Sequence, residues 1–195
     1  KQNSLWQNEI IAIECEVELE TLENKEIIFT LGVGQTVLEC QDIAYKYNNL
    51  SKAKEEYKNT KNYWKNMSEN LQVNTPLESI NILLNSWLIY QTITSRLLAK
   101  TGYYQSGGAY GFRDQLQDTI ALKYVNPDIT KQQIIKHSKH QFIEGDVEHW
   151  WHDETSRGIR TRFSDDRLWL VYLVEDYIAF TGDKEILDIK TPYLK

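Results

Sequence analysis

The stretch from Thr75 to Lys100 constrains the fold most, because it is the clearest amphipathic helix in the chain. It opens on Thr75-Pro76-Leu77-Glu78, which has the spacing of a capping box with proline at the first helical position. Behind this start, apolar residues recur at three- and four-residue intervals, the period of a helix with one buried face. The sequence therefore predicts a helix that runs to about Lys100 and ends at Gly102. Its apolar positions are Leu77, Ile80, Leu83, Leu84, Trp87 and Leu88.

Further helices are predicted on both sides of this one. Residues 36–50 favour a short helix, and residues 51–71 favour a longer, charged helix with the composition of a linker. Each later helix start carries a Ser, Thr, Asp or Asn that can cap it. The chain beyond residue 35 is thus predicted to be mainly α. The later starts lie near Asp114, at Asn126-Pro127 and after Ser164, and the last helix is predicted to end at Gly182.

The first 35 residues have a different period. Between residues 11 and 20, apolar residues alternate with glutamates, which predicts a strand with one buried and one exposed face. Residues 27–31 predict a second strand, ended by Gly32 and Gly34. Because two strands do not form a stable sheet alone, we expect them to belong to a larger β domain. Since the chain starts at Lys1 rather than Met, we also expect it to be a piece of a longer protein.

Composition excludes several classes of protein. Lys and Arg number 22 against 28 Asp and Glu, which gives a net charge of −6. A nucleic-acid partner is not expected, because the sequence has no basic stripe. The apolar fraction of 41% is enough for a core, and no apolar run is long enough to predict a membrane contact. Two cysteines are too few for a disulfide scaffold.

Two predicted loops, residues 102–113 and 145–163, are longer than helix packing requires. Loops of that length inside a compact helical domain are usually functional. Gly107, Gly108 and Gly111 let the backbone of the first loop turn tightly or approach a ligand closely. Their spacing fits neither the dinucleotide nor the P-loop fingerprint, so a phosphate cradle is disfavoured.

The helix start that follows the first loop carries a cluster of polar side chains. Carboxylates accept hydrogen bonds from vicinal hydroxyls, a guanidinium donates them, and aromatic rings cover the C–H face of a sugar. The cluster therefore suits a polyhydroxyl ligand. The alternative is an ordinary ion pair between Arg113 and Asp118 with Asp114 as a helix cap. From these residues alone, the ligand-binding cluster and the ion pair are equally favoured. The candidate residues are Arg113, Asp114, Gln117 and Asp118, with Tyr104 and Phe112 nearby.

The second loop contains His149-Trp150-Trp151-His152 and is followed by several arginines and aspartates. Two histidines three residues apart, with no fixed third ligand, disfavour a zinc site, so no metal is predicted. One of the adjacent tryptophans is expected to pack inward while the other walls a cleft or stacks on a ligand. The arginines either bind an anion or, as the stronger interpretation, pair with aspartates. The residues concerned are Arg157, Arg160 and Arg162, and Asp153, Asp165 and Asp166.

These motifs resemble those of glycoside hydrolase family 94. The resemblance is carried by residues 107–118, by Glu144-Gly145-Asp146 with His149-Trp150-Trp151-His152, and by residues 161–166 with Leu168-Trp169-Leu170. It covers essentially the whole chain. The family includes cellobiose, chitobiose and related disaccharide or oligoglucan phosphorylases, and the phosphorylase-like region of cyclic β-1,2-glucan synthases. The motif variants here look closer to the oligoglucan and cyclic-glucan branch than to cellobiose phosphorylase.

The resemblance implies a fold in three regions. Residues 1–35 would be the C-terminal strands of a β-sandwich, residues 36–72 a helical linker, and residues 73–195 the N-terminal part of an (α/α)6 catalytic barrel, with its first hairpins. The fold class is therefore predicted as mainly α with N-terminal β strands.

The resemblance also implies inverting phosphorolysis of a β-glucosidic bond, giving a sugar α-1-phosphate. Inorganic phosphate is the co-substrate, and no other cofactor is expected. Because phosphate is already a nucleophile, one carboxylic acid suffices where an inverting hydrolase needs an acid and a base. Family members carry that acid in a Trp-Asn-Asp segment downstream of this region. This chain contains no Trp-Asn-Asp, so no catalytic residue is expected here, and the region alone should be inactive.

The site implied by the resemblance binds the non-reducing-end sugar. Arg113 and Asp118 match family positions that grip its hydroxyls, and Asp114 and Gln117 support them. The expected ligands are a β-linked glucose disaccharide or oligosaccharide and phosphate. The protein is expected to be cytoplasmic, and a homodimer is one of the oligomeric states that are left open. A non-catalytic sugar-binding module and a hydrolase relative stay open as alternatives, as do linkage and acceptor. The other implied substrate-binding residues are Tyr104, Phe112, His149, Trp150, Trp151, Arg162 and Asp165.

Overall fold

The structure, a computed structural model, describes residues 12–101 and 107–195. The chain divides into two compact units, residues 1–59 and 60–195. It is mainly helical, as the sequence predicts. Within the described ranges, none of the helices combines the length and the apolarity that crossing a bilayer requires.

The first helices have nearly the bounds that the sequence predicts. The long stretch after residue 77 forms one continuous helical run in which α and π segments alternate. Its predicted buried face is wrong, because the six apolar positions named for it are 37–59% exposed, whereas Ile89, Ile93 and Leu97 are buried. Its predicted end at Gly102 lies outside the described residues. The elements are α1 (Val37–Tyr47), α2 (Leu50–Glu69), α3 (Glu78–Ile82), a π segment (Leu83–Trp87), α4 (Leu88–Gln91) and a second π segment (Thr92–Leu98).

The C-terminal helices also form where they are predicted. The Asn126 side chain accepts a hydrogen bond from the backbone N–H of Asp128 at the start of the third of them, and Gly182 ends the last with φ +74°. The left-handed conformation at that position favours glycine. The elements are α5 (Phe112–Thr119), a 3-10 turn (Ile120–Tyr124), α6 (Pro127–Ser138), α7 (Asp166–Thr181) and a 3-10 turn (Glu185–Asp188).

The predicted capping box at residues 75–78 is wrong, although the helix begins there. Asn81 Oδ1 accepts from the backbone N–H of Thr75 at 2.8 Å, and its amide nitrogen donates to the Thr75 carbonyl at 3.1 Å. The Asn81 amide thus pairs with both the backbone N–H and the backbone carbonyl of Thr75. Glu78 is therefore not needed to accept from the Thr75 N–H, as it would in a capping box. A similar sequence at Thr36 does cap α1, because its hydroxyl accepts from the Glu39 N–H at 3.2 Å.

The N-terminal β strands are not present in the described residues 12–35, where no strand is assigned. Their apolar side chains are exposed, for example Ile13 at 69%, Phe29 at 62% and Leu31 at 96%. Two strands with nothing to pack against lack the burial that would offset their ordering. Whether residues 1–35 belong to a β-sandwich stays a prediction.

A three-stranded antiparallel sheet lies instead in the two predicted loops. Its strands, β1 (Tyr110–Gly111), β2 (Glu148–His152) and β3 (Arg157–Arg160), pair in the order β1-β2-β3. Tyr110 is opposite Trp151, and Gly111 is opposite Trp150. The alternation rule missed β2 because polar and aromatic residues do not alternate there. Because β1 in the first loop pairs with β2 in the second, about forty residues later in the sequence, the two predicted functional loops are adjacent.

Two apolar clusters form the core of residues 60–195. One joins α5, α6, α7 and the sheet, and the other joins α2, the long helical run and the 3-10 turn that follows α5. The first cluster comprises Tyr110, Phe112, Leu116, Ile134, Val147, Trp151, Leu170, Leu173, Tyr177 and Ile186. The second comprises Met67, Ile89, Ile93, Leu97, Leu122 and Val125.

His137 is a fully buried titratable group beside the first cluster. Its Nδ1 lies 2.8 Å from the Gln133 carbonyl oxygen, and the Tyr110, Phe112 and Trp151 rings pack edge-on against it. Burial lowers the pKa of His137 from 6.5 to about 3. The imidazole is therefore neutral in the folded protein at ordinary pH.

Stability is expected to fall with acid because of this residue. Below pH 6.5 the unfolded chain binds a proton at His137 whereas the folded chain does not. The contribution of His137 to the free energy of unfolding is therefore complete above pH 6.5 and is lost as the pH falls toward 3. The free energy of unfolding should drop by about 2 kcal/mol between pH 7 and pH 5 through this group. Urea unfolding at both pH values should show a smaller drop in unfolding free energy for His137→Leu than for the unsubstituted protein. His140→Gln should show the full drop. Equal drops in all three proteins would contradict this.

A candidate sugar site between the two loops

An open cavity of about 370 Å³ lies where β1, the start of α5 and β2 meet. Its volume is within the range of small-molecule sites. The predicted residues that line it come from both loops, and the sheet pairing is what brings them together. The lining residues are Gly107, Ala109, Gly111, Phe112, Arg113, Asp114, His149, Trp150 and His152.

Arg113 and Asp114 supply opposite charges at the start of α5. Arg113 Nη1 donates to Asp165 Oδ2 at 3.0 Å, and its Nε lies 3.6 Å from Asp114 Oδ1. The bond to Asp165 raises the pKa of Arg113, and in turn lowers the pKa of Asp165. All three side chains keep 40–46% of their surface exposed, so polar atoms remain available to a ligand.

Close approach fixes where Asp114 lies. A Cβ on Gly111 would come within 3.1 Å of Asp114 Oδ2 and within 3.2 Å of its Cβ, so a larger residue at 111 would push this carboxylate away. The Gly111 N–H donates to the buried Gln115 side chain at 2.6 Å, which secures the turn into α5. A carboxylate in the first turn also interacts favourably with the helix dipole.

Asp118 lies one turn further along α5 and is not part of the cavity wall. Its Oδ2 accepts from Arg96 Nε at 2.5 Å, and Arg96 Nη2 lies 3.9 Å from Asp114. Burial raises the pKa of Asp118, and the bond from Arg96 opposes that rise. The alternative ion pair between Arg113 and Asp118 is therefore wrong, since each has another partner. Sequence reasoning missed Arg96, whose only signal was that it is the one cationic residue between Glu78 and Leu98.

One wall of the cavity is made by β2. His149 lies beside Phe163 with the rings stacked at 4.5 Å, and Trp150 contacts the edge of His152 at 5.3 Å. All three β2 residues are partly exposed and line the cavity. The wall therefore offers an aromatic surface and two imidazoles, next to a guanidinium and a carboxylate.

Two residues predicted to contact substrate are buried instead. Trp151 is 1% exposed and packs in the core. Phe112 is 0% exposed and packs in the same core, although it also borders the cavity. Strand alternation explains why Trp151 turns inward while Trp150 turns outward. The expectation that the two tryptophans divide in this way is confirmed, but neither Trp151 nor Phe112 has an exposed ring face for a sugar.

The remaining predicted residues lie around the cavity or beyond it. Gln117 and Arg162 are exposed and do not line the cavity, and Tyr104 lies outside the described residues. The predicted pairing of the arginines with three aspartates is wrong. Arg160 donates to Asp146 at 2.6 Å and to Glu144 at 3.1 Å. The three aspartates have other partners: Asp153 pairs with Lys136, Asp165 with Arg113, and Asp166 with His149.

Gly158 allows β3 to lie against a carboxylate on β2. A Cβ at this position would lie 1.7 Å from Glu148 Oε1, and Glu148 Oε2 is 2.7 Å from His140 Nδ1. The His140 ring stacks on Trp151 at 3.7 Å. The absence of a side chain at 158 therefore lets Glu148 reach His140, which covers the buried tryptophan.

Gly158→Ala is expected to destabilise the protein by about 1–3 kcal/mol, because Glu148 must move and release His140. Chemical denaturation measures the loss. Gly107→Ala is a matched control, since no atom of the described residues lies within 4 Å of a Cβ there. A Gly158→Ala protein as stable as the Gly107→Ala protein would contradict the packing described here.

Within the two described ranges, no three or more His, Cys, Asp or Glu side chains are grouped so that they could hold a metal ion. The cavity combines hydrogen-bond donors on Arg113, acceptors on Asp114 and the aromatic face of Trp150. These are the groups that a compact molecule with several hydroxyls requires.

Fold and site together define a mainly helical protein with a polar, aromatic-walled cavity beside a small antiparallel sheet. Residues 63–195 match the catalytic domain of the glycosyl hydrolase 94 superfamily. The chain belongs to this superfamily. The match includes both predicted functional loops and every described residue that lines the cavity.

Individual relatives fall into two groups by name. The chain is 42% identical over 134 residues to the cyclic β-(1,2)-glucan synthase NdvB of Rhizobium meliloti (strain 1021), covering 69% of this chain and 5% of that protein. It is 32% identical over 128 residues to a solabiose phosphorylase of Paenibacillus borealis, covering 66% and 15%. It is 24% identical over 210 residues to an N,N'-diacetylchitobiose phosphorylase of Vibrio furnissii, covering 93% and 26%. The chain thus spans about a quarter or less of each relative.

Proposed function

We propose that this region forms part of the sugar site of an inverting carbohydrate phosphorylase. In the proposed reaction, inorganic phosphate attacks the anomeric carbon of a β-glucoside and a sugar α-1-phosphate is released. The region binds the non-reducing-end sugar, and another part of the protein donates the proton to the leaving oxygen. Membership of the superfamily and the names of the phosphorylase relatives support this proposal.

The observation that carries the proposal is that Arg113, Asp114, His149 and Trp150 line one cavity. A pyranose ring presents hydroxyls around its edge and C–H groups on its faces. Arg113 donates to the hydroxyls, Asp114 accepts from them, and the Trp150 ring covers a face. Asp118 supports this arrangement through Arg96, which contacts both carboxylates.

The catalytic step needs a carboxylic acid that this region does not supply. The chain has no Trp-Asn-Asp segment. Beside the cavity, the hydrogen bond from Arg113 lowers the pKa of Asp165, which favours the charged form of that carboxylate. A charged carboxylate binds hydroxyls well but cannot protonate a leaving group. Residues 73–195 are accordingly proposed as the N-terminal part of an (α/α)6 barrel whose other segments carry the acid and hold the phosphate.

A more specific second candidate is the phosphorylase-like region of a cyclic β-1,2-glucan synthase. The 42% identity to NdvB over 134 residues favours it. Under this proposal the same cavity binds the terminal glucose of a β-1,2-linked glucan. The two candidates differ in the linkage that the site accepts, not in the groups that bind the terminal ring.

The test is phosphate release from α-glucose 1-phosphate by the full-length protein in the presence of a glucose oligosaccharide acceptor. We expect release with the full-length protein, and faster release with β-1,2-linked acceptors if the second candidate is right. Residues 1–195 alone should release none. Release by residues 1–195 alone would refute the proposal that the general acid lies outside this chain. Cleavage of a glucoside without phosphate would identify a hydrolase. Sugar binding without turnover by the full-length protein would identify a binding module.

A further inference from the structure

His149 is placed in the cavity by an irregularity of the sheet. The register of β2 against β3 shifts between the pairs Glu148–Arg160 and Trp150–Ile159, which leaves His149 as the extra residue. Such a bulge turns one side chain out of the regular alternation and is common beside functional sites. His149 and Trp150 consequently both line the cavity, although they are sequence neighbours on one strand.

The orientation of the His149 ring is fixed from two sides. Its Nδ1 lies 2.6 Å from Asp166 Oδ2, and its face stacks on Phe163 at 4.5 Å with an interplanar angle of 17°. Asp166 is the first residue of α7 and is only 2% exposed. A buried carboxylate at a helix start is stabilised by the helix dipole. A carboxylate without a proton has no hydrogen to donate, so in a hydrogen bond between the two groups Nδ1 of His149 is the donor.

The other ring nitrogen is the one left for a ligand. When the imidazole carries its single proton on Nδ1, its Nε2 is unprotonated and accepts hydrogen bonds. Across the described ranges, Nε2 has no hydrogen-bond partner in the protein, and the side chain is 33% exposed. We propose that Asp166 is a positioning residue that fixes His149 in this tautomer, so that Nε2 accepts a hydrogen bond from a hydroxyl of the sugar in the cavity.

The charge of the neighbouring groups explains why an acceptor is needed at this position. A sugar hydroxyl that accepts from Arg113 must donate its own proton to a third group. Asp114 is one such acceptor, and Nε2 of His149 provides a second in the same cavity. A histidine in the other tautomer would present a second hydrogen-bond donor to a hydroxyl that already accepts a hydrogen bond from Arg113. This inference rests on the proposed sugar site.

The test replaces the carboxylate in the full-length protein. In Asp166→Asn the amide donates to Nδ1 and reverses the tautomer, so the KM for the sugar should rise roughly tenfold or more. His149→Ala should cause a similar rise. The double variant should be no worse than either single variant, because both remove the same interaction. Nitrogen-15 spectra of the imidazole should show Nδ1 protonated in the natural protein and Nε2 protonated in Asp166→Asn.

Glu148→Gln is a matched control. It alters the other histidine–carboxylate pair of the sheet, which has a 2.7 Å separation but belongs to no cavity wall. It should leave the KM within about twofold, because neither Glu148 nor His140 lines the cavity. A folded Asp166→Asn protein with an unchanged KM or an unchanged tautomer would overturn the proposed role of Asp166. A natural protein that binds no sugar would instead refute the proposed function, and the tautomer spectra would still decide whether Asp166 orients the ring.

Discussion

Trp151→Ala is expected to lower the free energy of unfolding by about 3–5 kcal/mol. Trp151 is 1% exposed and stacks on Tyr110 at 5.4 Å and on His140 at 3.7 Å. Its indole N–H donates to Asp153 at 2.8 Å. Truncation would leave a large cavity at the centre of the sheet and remove the partner of a carboxylate. Equilibrium unfolding in urea, followed by circular dichroism, measures the loss.

The neighbouring tryptophan provides the control for this experiment. Trp150 is on the same strand but is partly exposed on the cavity side. Trp150→Ala should cost less than half as much stability and should weaken sugar binding instead. Equal destabilisation by the two substitutions would contradict the assignment of Trp151 to the core and Trp150 to the site.

Arg113→Ala is expected to lower kcat/KM for phosphorolysis about 100-fold in the full-length protein. Hydrogen bonds from a charged donor contribute about 1.5–3 kcal/mol, which corresponds to roughly 10- to 150-fold. Arg113→Lys should recover little of the loss, because an ammonium cannot reproduce the two-pronged geometry of a guanidinium. Initial rates at several substrate concentrations, with phosphate saturating, give the values.

The control for Arg113 is Arg157→Ala. Arg157 is exposed on β3 and does not line the cavity. It should keep kcat/KM within about twofold, as expected for a surface charge. Arg113→Ala should also keep its unfolding free energy within about 1 kcal/mol, because the pair with Asp165 is largely exposed. If Arg113→Ala and Arg157→Ala have the same activity, the cavity is not the sugar site.

The helices could be predicted from the sequence because their signals are local. The apolar spacing behind Thr75, the cap at Asn126 and the glycine at 182 each act within one turn of the chain. The sheet could not be predicted in this way. Its strands are short, and β1 pairs with a segment about forty residues away. Only that pairing shows that the two loops line one cavity.

The site was predictable in its residue types but not in its geometry. The sequence indicated Arg113 and His149, and both line the cavity. It gave no means of deciding which tryptophan turns inward, because that depends on the register of β2. It also could not reveal that Arg96 would pair with Asp118, since an ion pair between two helices leaves no local pattern.

The most direct measurement is a crystal structure of the full-length protein with a glucose oligosaccharide bound. The account predicts that the terminal pyranose lies in this cavity, with hydroxyls within 3.2 Å of Arg113 and Asp114, on the order of an ordinary hydrogen bond. One ring face should lie against Trp150, and Nε2 of His149 should accept from a hydroxyl. A sugar bound at another site while this cavity holds only water would contradict the central claim.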